Sequence, residues 1–281
     1  MKAIIGVDEN LSYEATIKLL ALLKMDAPDL EVVHIDRSRL VNDEHDFNFV
    51  SEYELSQIDF DEDLIAKAEQ FAMSCGFHAT KTTLYGSPAK LLLHQARKQK
   101  ADLICVGAKR RSKFNSSLFG SIGRALAISA TQSILITKSE VSPSGPLTAL
   151  VTTDHSEYAD RSLKLLTKLN PAGIQKLVLL TTINTRGFKN IDASRVASFK
   201  QSTEEKSKQA CDRLNRKGFL ADFRVIVGDL GEVVESQMEE IHADLLVMGA
   251  QGEGYLGRMA IGSSALKQVV ASKHSILLLR P

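Results

Sequence analysis

Short apolar runs alternate with longer amphipathic segments along the whole chain. The amphipathic segments place apolar residues at helical spacing, for example at Ile17, Leu20 and Ala21. The apolar runs, which predict strands, lie at 3–7, 31–35, 79–85, 102–106, 133–137, 148–153, 176–183, 221–227, 244–248 and 275–279. Strands that are apolar throughout and joined by helices are typical of a parallel sheet with helices on both faces. The pattern therefore predicts an α/β protein.

The second half of the chain repeats the first. Residues 76–138 align without a gap on residues 218–280, and both stretches contain Ala-Asp-Leu and Ser-Ile-Leu at equivalent places. The first strands also correspond, so that Asp8 is equivalent to Asp154. A stretch of linker composition, residues 139–146, separates the copies. We therefore predict a first domain at 1–138 and a second domain at 147–281, each with five parallel strands.

A glycine-rich loop follows the fourth strand of the second domain. Five glycines fall among residues 249–262, and the next helix opens with Gly262 and two serines. Ligands of such sheets bind beyond the carboxyl ends of the strands, where the strand order reverses. A helix N-terminus there offers unpaired N–H groups and a favourable dipole to an anion, so a phosphate group fits the place.

A structural explanation of the same loop stays open. Glycine-rich connections between a strand and a helix also occur as plain turns, and serine at a helix start is commonly a cap. The loop alone therefore does not separate a phosphate site from a turn.

The spacing of Gly249, Gly252 and the Gly262-Ser263 pair resembles the nucleotide-binding signature of the universal stress protein family, G-x2-G-x9-G-S/T. The likeness covers both copies and includes the Asp that closes each first strand. It implies two Rossmann-like domains of the adenine nucleotide alpha hydrolase-like type. It also implies binding of ATP, ADP or AMP, with Mg²⁺ held through the phosphates, and a regulatory role in the stress response with no catalysis or very slow ATP hydrolysis.

The resemblance also implies a role for individual residues of the second domain. Asp154 would contact the adenosine, and the backbone of Thr182 would bind the adenine edge. Met248 and Gly249 would line the ribose. The phosphates would be held by Gly252, Gly262, Ser263 and Ser264. The equivalent residues of the first domain are Asp8, Ile35, Gly107, Arg110, Gly120 and Ser121.

The first domain departs from the motif at one position. Arg110 stands where the second domain has Gly252, and an arginine cannot replace a glycine whose backbone presses against a phosphate. The basic residues around it could bind phosphate themselves, or they could form a solvated loop. We therefore expect nucleotide in the second domain and leave the first open. Accordingly, Gly252→Arg is expected to deplete bound nucleotide more than Gly120→Arg.

Other motifs do not support a different activity. Residues 252–257 match a dinucleotide fingerprint, but they follow a fourth strand instead of a first one. Asp154, His155 and Ser156 are adjacent, so they cannot converge as a catalytic triad, and Ser156 is better explained as a helix cap. A P-loop Gly-Lys-Ser/Thr motif is absent, and the seven histidines show no ligand spacing. An ATPase, an adenylyl-transferring enzyme and an empty structural scaffold stay as alternatives.

Composition limits the partners and the location. The 35 basic and 34 acidic side chains give a net charge of +1, so neither nucleic acid nor a membrane surface is an expected partner. The three cysteines are odd in number and far apart, which argues against disulfides and favours the cytoplasm. Long apolar sheet edges are usually covered. In the resembling family similar last strands pair across a two-fold axis, which implies a pseudo-dimer within the chain and a homodimer of chains.

Overall fold

The computed structural model describes residues 1–9, 12–26, 29–36, 52–108, 121–138, 145–184, 193–252 and 261–281. The first domain contains β1 (Lys2–Val7), α1 (Ser12–Leu23), β2 (Asp29–Asp36), α2 (Glu52–Ser74), β3 (His78–Tyr85), α3 (Pro88–Lys98), β4 (Leu103–Gly107), α4 (Ser121–Ser129) and β5 (Ser133–Thr137). The second contains β6 (Leu147–Thr152), α5 (Glu157–Leu169), β7 (Ile174–Ile183), α6 (Ala193–Asn215), β8 (Leu220–Val227), α7 (Leu230–Glu240), β9 (Leu245–Gly249), α8 (Ser263–Ala271) and β10 (Ile276–Leu279).

All ten predicted strands are present, and they form one continuous sheet. The strand order is β3-β2-β1-β4-β5-β10-β9-β6-β7-β8. Every pair is parallel except β5 with β10, which run antiparallel and set Leu135 opposite Leu277. The expected pairing of the two last strands is thereby confirmed. Within each domain the strand order reverses between the first and the fourth strand, that is between β1 and β4 and between β6 and β9.

Helices cover both faces of the sheet, as the apolar strands predict. One buried cluster joins the sheet to α1, α2, α5 and α6, and a second joins the opposite face to α3, α4, α7 and α8. Each cluster contains side chains of both domains, for example Leu20 and Leu166 in the first. The two domains therefore share their hydrophobic cores.

Residues 37–60 are polar and show no clear hydrophobic period, so the sequence predicts no function for them. The structure nevertheless begins α2 at Glu52, so the last part of this segment is helical. The reason is tertiary, because the apolar residues that hold α2 on the sheet, such as Leu64 and Ala68, lie farther along the helix.

Equivalent hydrogen bonds cross the junction between β5 and β10 in both directions. The backbone N–H of Lys138 donates to Ser275 Oγ at 3.1 Å, and the backbone N–H of Arg280 donates to Ser133 Oγ at 3.1 Å. Ser133 and Ser275 occupy the same place in the two copies, as do Lys138 and Arg280. The junction thus follows the approximate two-fold symmetry of the repeat.

The side chains of the same two basic residues reach helices of the opposite domain. Lys138 Nζ donates to Val269 O at 2.6 Å and to Ser272 O at 2.7 Å, at the C-terminal end of α8. Arg280 Nη2 donates to Ala127 O near the end of α4. The last carbonyls of a helix lack partners within the helix and carry partial negative charge. Each domain therefore caps the helix that follows the fourth strand of the other.

A further contact between the domains lies at the end of α1. The N–H of Gly173 donates to Leu23 O at 3.0 Å. A Cβ atom at residue 173 would lie 1.7 Å from Leu22 O, so only glycine fits against this backbone. The connection before β7 is thereby held against the first domain.

The three cysteines, Cys75, Cys105 and Cys211, are all free. Burial raises the pKa of the Cys105 thiol, as expected of a cysteine that acts as a small apolar core residue. In the part of the chain that the structure describes, no helix combines the length and the apolar character needed to cross a membrane.

Candidate functional site

A cleft of about 370 Å³ opens where the strand order of the second domain reverses. The ends of β6 and β9 form its floor, with Thr152 paired to Met248. Its volume lies within the range typical of small-molecule sites. All eight residues predicted for the second domain line this cleft: Asp154, Thr182, Met248, Gly249, Gly252, Gly262, Ser263 and Ser264.

The N-terminus of α8 faces the cleft without a side-chain cap. Gly262 is the N-cap residue, with φ −71° and ψ 153°, and as a glycine it makes no side-chain cap hydrogen bond. Its N–H donates to Ala250 O at 2.7 Å, which orients the turn. Ser263 and Ser264 are exposed on the cleft side. The first turn of α8 therefore presents backbone N–H groups and two hydroxyls, which suits an anion.

Gly262 has room for a side chain against the described part of the chain, which leaves out residues 253–260. Among the described residues, the nearest atom to a Cβ at this position would be Ala250 O at 3.6 Å, an ordinary contact distance. The backbone conformation is one that any residue adopts. Packing against the described residues therefore does not require glycine here, whereas a ligand pressed against the turn would require it.

A Cβ at either of the other two glycines of the motif would meet side chains of the protein itself. A Cβ at Gly249 would lie 2.9 Å from Ser162 Oγ and 3.3 Å from Tyr158 Cδ1, because α5 packs closely on β9. A Cβ at Gly252 would lie 2.5 Å from Asp154 Oδ2. Gly249 is thus explained by helix packing, and Gly252 leaves space for a carboxylate of the site.

Asp154 is held in place by the turn that opens α5. Its Oδ1 accepts a hydrogen bond from the N–H of Ser156 at 3.0 Å, and Ser156 Oγ accepts one from the N–H of Ala159 at 3.2 Å. Ser156 is the N-cap of α5, as the sequence predicted. The carboxylate therefore stands at the mouth of the cleft beside Gly252.

His155 anchors the same turn from behind. It has a left-handed backbone, with φ 58°. Its Nε2 lies 2.9 Å from Ser207 Oγ and 3.1 Å from Thr181 Oγ1. Burial lowers the pKa of His155, so the neutral ring is the form that fits. The sequence showed this histidine only as part of a false triad.

Several residues of the cleft were not predicted from the sequence. Asp229 belongs to the turn between β8 and α7, where its Oδ1 accepts from the N–H of Gly231 at 2.9 Å. Lys267 lies one turn beyond Ser263 in α8 and adds a positive charge. Asn184, Gln251 and Gln268 also line the cleft. These residues stand alone in the sequence and carry no spacing signal. The rule that ligands bind beyond strand ends could have indicated Asn184, which follows β7.

The first domain is described in part. Asp8 follows β1, and its Oδ1 accepts a hydrogen bond from Ser12 Oγ at 3.1 Å. Ile35 lies near the end of β2, Gly107 ends β4, and Ser121 begins α4. A Cβ at Gly107 would lie 2.5 Å from Ser12 Cβ, so helix packing explains this glycine as it explains Gly249. Arg110 and Gly120 lie outside the described residues.

A family model of the universal stress protein family matches residues 1–138 and 148–280 of the chain. The chain belongs to the universal stress protein family. The duplicated sequence is thus two copies of the domain that defines this family.

Two solved structures share the fold over the full length of the chain, and a third covers half of it. A universal stress protein from Archaeoglobus fulgidus DSM 4304 is 17% identical and has a TM-score of 0.72. The match covers 100% of this chain and 98% of that protein. A functionally unknown protein from Pseudomonas aeruginosa PAO1 is 13% identical, with 100% and 92% coverage and a TM-score of 0.67. A universal stress protein solved in complex with cAMP is 17% identical over 50% of the chain and 98% of its own, with a TM-score of 0.40. The comparison with curated proteins found no match.

Proposed function

We propose that the second domain binds an adenine nucleotide and that the protein is a regulatory nucleotide-binding member of the stress response. The observation that carries this proposal is the N-terminus of α8 at the strand-order reversal, which begins with a glycine that has no side-chain cap and that packing against the described residues does not require. The phosphates lie at Gly262, Ser263 and Ser264, and Lys267 supplies a cation beside them. The base and ribose lie along the ends of β6, β7 and β9, between Thr182 and Met248.

Magnesium fits this site only together with the nucleotide. Mg²⁺ prefers oxygen ligands and commonly keeps several waters while binding one or two carboxylates and substrate phosphates. In the described part of the chain no cluster of three acidic, histidine or cysteine side chains is placed to hold a metal. The cleft offers hydroxyls and single carboxylates, so the nucleotide phosphates would supply most of the negative charge that binds the ion.

Binding without rapid turnover is the activity that the lining favours. Among the described residues that line the cleft there is no histidine, and the carboxylates are Asp154 and Asp229, each of which is oriented through Oδ1 by the N–H of a turn. A general base for attack by water has to be aimed at a water beside the γ-phosphate, whereas these two carboxylates are oriented by the turns that open α5 and α7. We therefore propose a nucleotide sensor with no hydrolysis or very slow hydrolysis, located in the cytoplasm and assembled as a homodimer.

Mass spectrometry of small molecules released from the purified protein tests the proposal, followed by titration of the stripped protein with ATP, ADP and AMP. The expected result is an adenine nucleotide in at least one copy per chain and micromolar affinity, about 8 kcal/mol. No released nucleotide and no binding on titration would favour a structural scaffold. Steady ATP turnover that Asp154→Ala abolishes would favour an ATPase.

A further inference from the structure

A second cleft lies on the outside of the second domain, between α5 and α6. Its volume is about 620 Å³, and it shares no lining residue with the nucleotide cleft. Its floor is formed by apolar side chains of both helices, among them Leu163 and Leu214. Its rim carries four cations and one carboxylate: Lys164, Arg213, Arg216, Lys217 and Asp160. We call it the α5–α6 groove.

The charge of this rim is not balanced. Arg213 Nη2 lies 3.3 Å from Asp160 Oδ1, which pairs the one acid with one cation. Lys164, Arg216 and Lys217 form no ion pair within the described part of the chain. Three unpaired cations therefore surround an apolar floor.

The first domain provides an internal comparison, because α1 and α2 correspond to α5 and α6. Matching hydrogen bonds fix the register: the N–H of Phe77 donates to Ala72 O, and that of Phe219 donates to Leu214 O. In this register Phe71 stands at the position of Arg213, while Ser74 and Cys75 stand at those of Arg216 and Lys217.

Phe71 fills the equivalent place in the first domain. Its ring packs against the core, and Lys18 Nζ, equivalent to that of Lys164, lies 5.6 Å from the ring centroid. A cation over an aromatic ring is electrostatically satisfied. The apolar floor is covered and the cation has a partner in the first domain, whereas in the second domain the floor is open and the cations are unpaired.

We propose that the α5–α6 groove binds an acidic peptide segment of a partner protein. The unpaired cations are spread along the groove, with Lys164 on α5 and Arg216 and Lys217 just beyond the end of α6. A segment with several carboxylates can reach all of them and place an apolar side chain on the floor between them. Complementary charge of this kind steers association and sets the register of the partner.

A single phosphate group fits the groove less well. Anion sites for phosphate bring several backbone N–H groups together. At this end of α6 the N–H of Lys217 already donates to Leu214 O at 2.9 Å, and that of Gly218 donates to Asn215 O at 3.0 Å. Spread side-chain cations without converging backbone donors favour a multivalent carboxylate ligand.

Fluorescence anisotropy of a fluorescein-labelled peptide made of repeated Glu-Glu-Leu triplets tests the proposal, with the full-length protein at low salt. The wild type is expected to bind the peptide, and added salt is expected to weaken the binding. Arg216→Glu combined with Lys217→Glu should weaken it about tenfold or more. The matched control is Lys206→Glu with Lys208→Glu, an equal charge change on exposed residues of α6 outside the groove, which should change it less than about twofold.

A second variant, Arg213→Phe, copies the first domain and should also weaken peptide binding, by filling the groove. All these variants should bind ATP with the affinity of the wild type. Loss of peptide binding without loss of ATP binding separates this proposal from that of the nucleotide site. The proposal is overturned if the wild type does not bind the peptide or if both double variants lose binding equally. It is also overturned if a single-stranded DNA oligonucleotide of equal charge binds the groove more tightly than the peptide.

Discussion

The three motif glycines of the second domain have different physical reasons. Gly249 allows α5 to approach β9, and Gly252 leaves space for the Asp154 carboxylate. Gly262 has no neighbour among the described residues that would exclude a side chain. A family signature records all three in the same way, yet only Gly262 points directly to something outside the protein.

Alanine substitutions separate these reasons. Gly262→Ala should change the unfolding free energy by less than about 1 kcal/mol, since a weaker N-cap is offset by a less flexible unfolded chain. Its methyl group would stand where the phosphate approaches, so nucleotide affinity should fall about tenfold or more through the loss of a charge-assisted hydrogen bond. Urea unfolding and calorimetric titration measure the two quantities.

Gly249→Ala is the counterpart at the same loop. Its Cβ would lie 2.9 Å from Ser162 Oγ, so the substitution should cost about 1 to 3 kcal/mol of unfolding free energy through overpacking. If Gly262→Ala destabilised the protein as much as Gly249→Ala, the turn at α8 would be a structural requirement and not a ligand site.

At this scale the sequence predicted the residues that the spaced motif and the family resemblance name, and it missed those outside both. All eight second-domain residues named in this way line one cleft. Asp229, Lys267 and His155 reach the site or its supporting turn only through tertiary contacts. An isolated residue carries no periodic or spacing signal, so a single sequence could not reveal its position.

The helix α8 is held at its C-terminal end by a group from a distant part of the chain. Its N-terminus opens on the cleft, and its C-terminal carbonyls at Val269 and Ser272 accept hydrogen bonds from Lys138 of the first domain. The strand and helix pattern predicted α8 as an element. It could not predict this cap, because the cap depends on the pairing of β5 with β10.

Lys138 makes the stability of the protein depend on pH. Burial lowers the pKa of Lys138 to about 8, while Glu235 acts in the opposite direction, and the unfolded value is 10.5. Between these values the unfolded chain binds more protons than the folded one, so the contribution of Lys138 to stability rises as the pH rises through this window. The difference in unfolding free energy between the wild type and Lys138→Met should therefore grow from pH 8 to about pH 10.

Urea unfolding at several pH values measures this difference. Lys273→Met is the matched control, because Lys273 is exposed and its pairing with Glu239 raises its pKa. The wild type should not gain stability over this control in the same pH window. A difference for Lys138→Met that shrinks as the pH rises would show that Lys138 is more stable in the folded protein as a cation.

The two domains form one structural unit. The sheet is continuous from β3 to β8, and both hydrophobic clusters contain residues of both domains. The repeat predicted the duplication, and the family resemblance implied the pairing of the last strands. The contact of Gly173 with the end of α1 was not predicted, because neither residue 22 nor residue 173 differs in type from an ordinary helix end or turn.

Gly173→Ala should destabilise the whole protein, since its Cβ would lie 1.7 Å from Leu22 O and the bond to Leu23 O would be lost. We expect a loss of about 2 to 3 kcal/mol, seen in scanning calorimetry as a lower midpoint of a single transition. Gly145→Ala is the control, because a Cβ there meets nothing within 4 Å, and it should leave the midpoint nearly unchanged. Two separate transitions in the wild type would contradict a shared core.

Nucleotide is expected to bind at the loop of the second domain. Calorimetric titration with ATP tests this most directly, with the wild type and Gly252→Arg compared after any bound nucleotide has been removed. The side chain of an arginine at residue 252 would collide with the carboxylate of Asp154 at the edge of the cleft, since even a Cβ there would lie 2.5 Å from Asp154 Oδ2. The predicted result is micromolar binding by the wild type, at least one site per chain, and loss of one site in Gly252→Arg but not in Gly120→Arg. Unchanged binding by Gly252→Arg would contradict it.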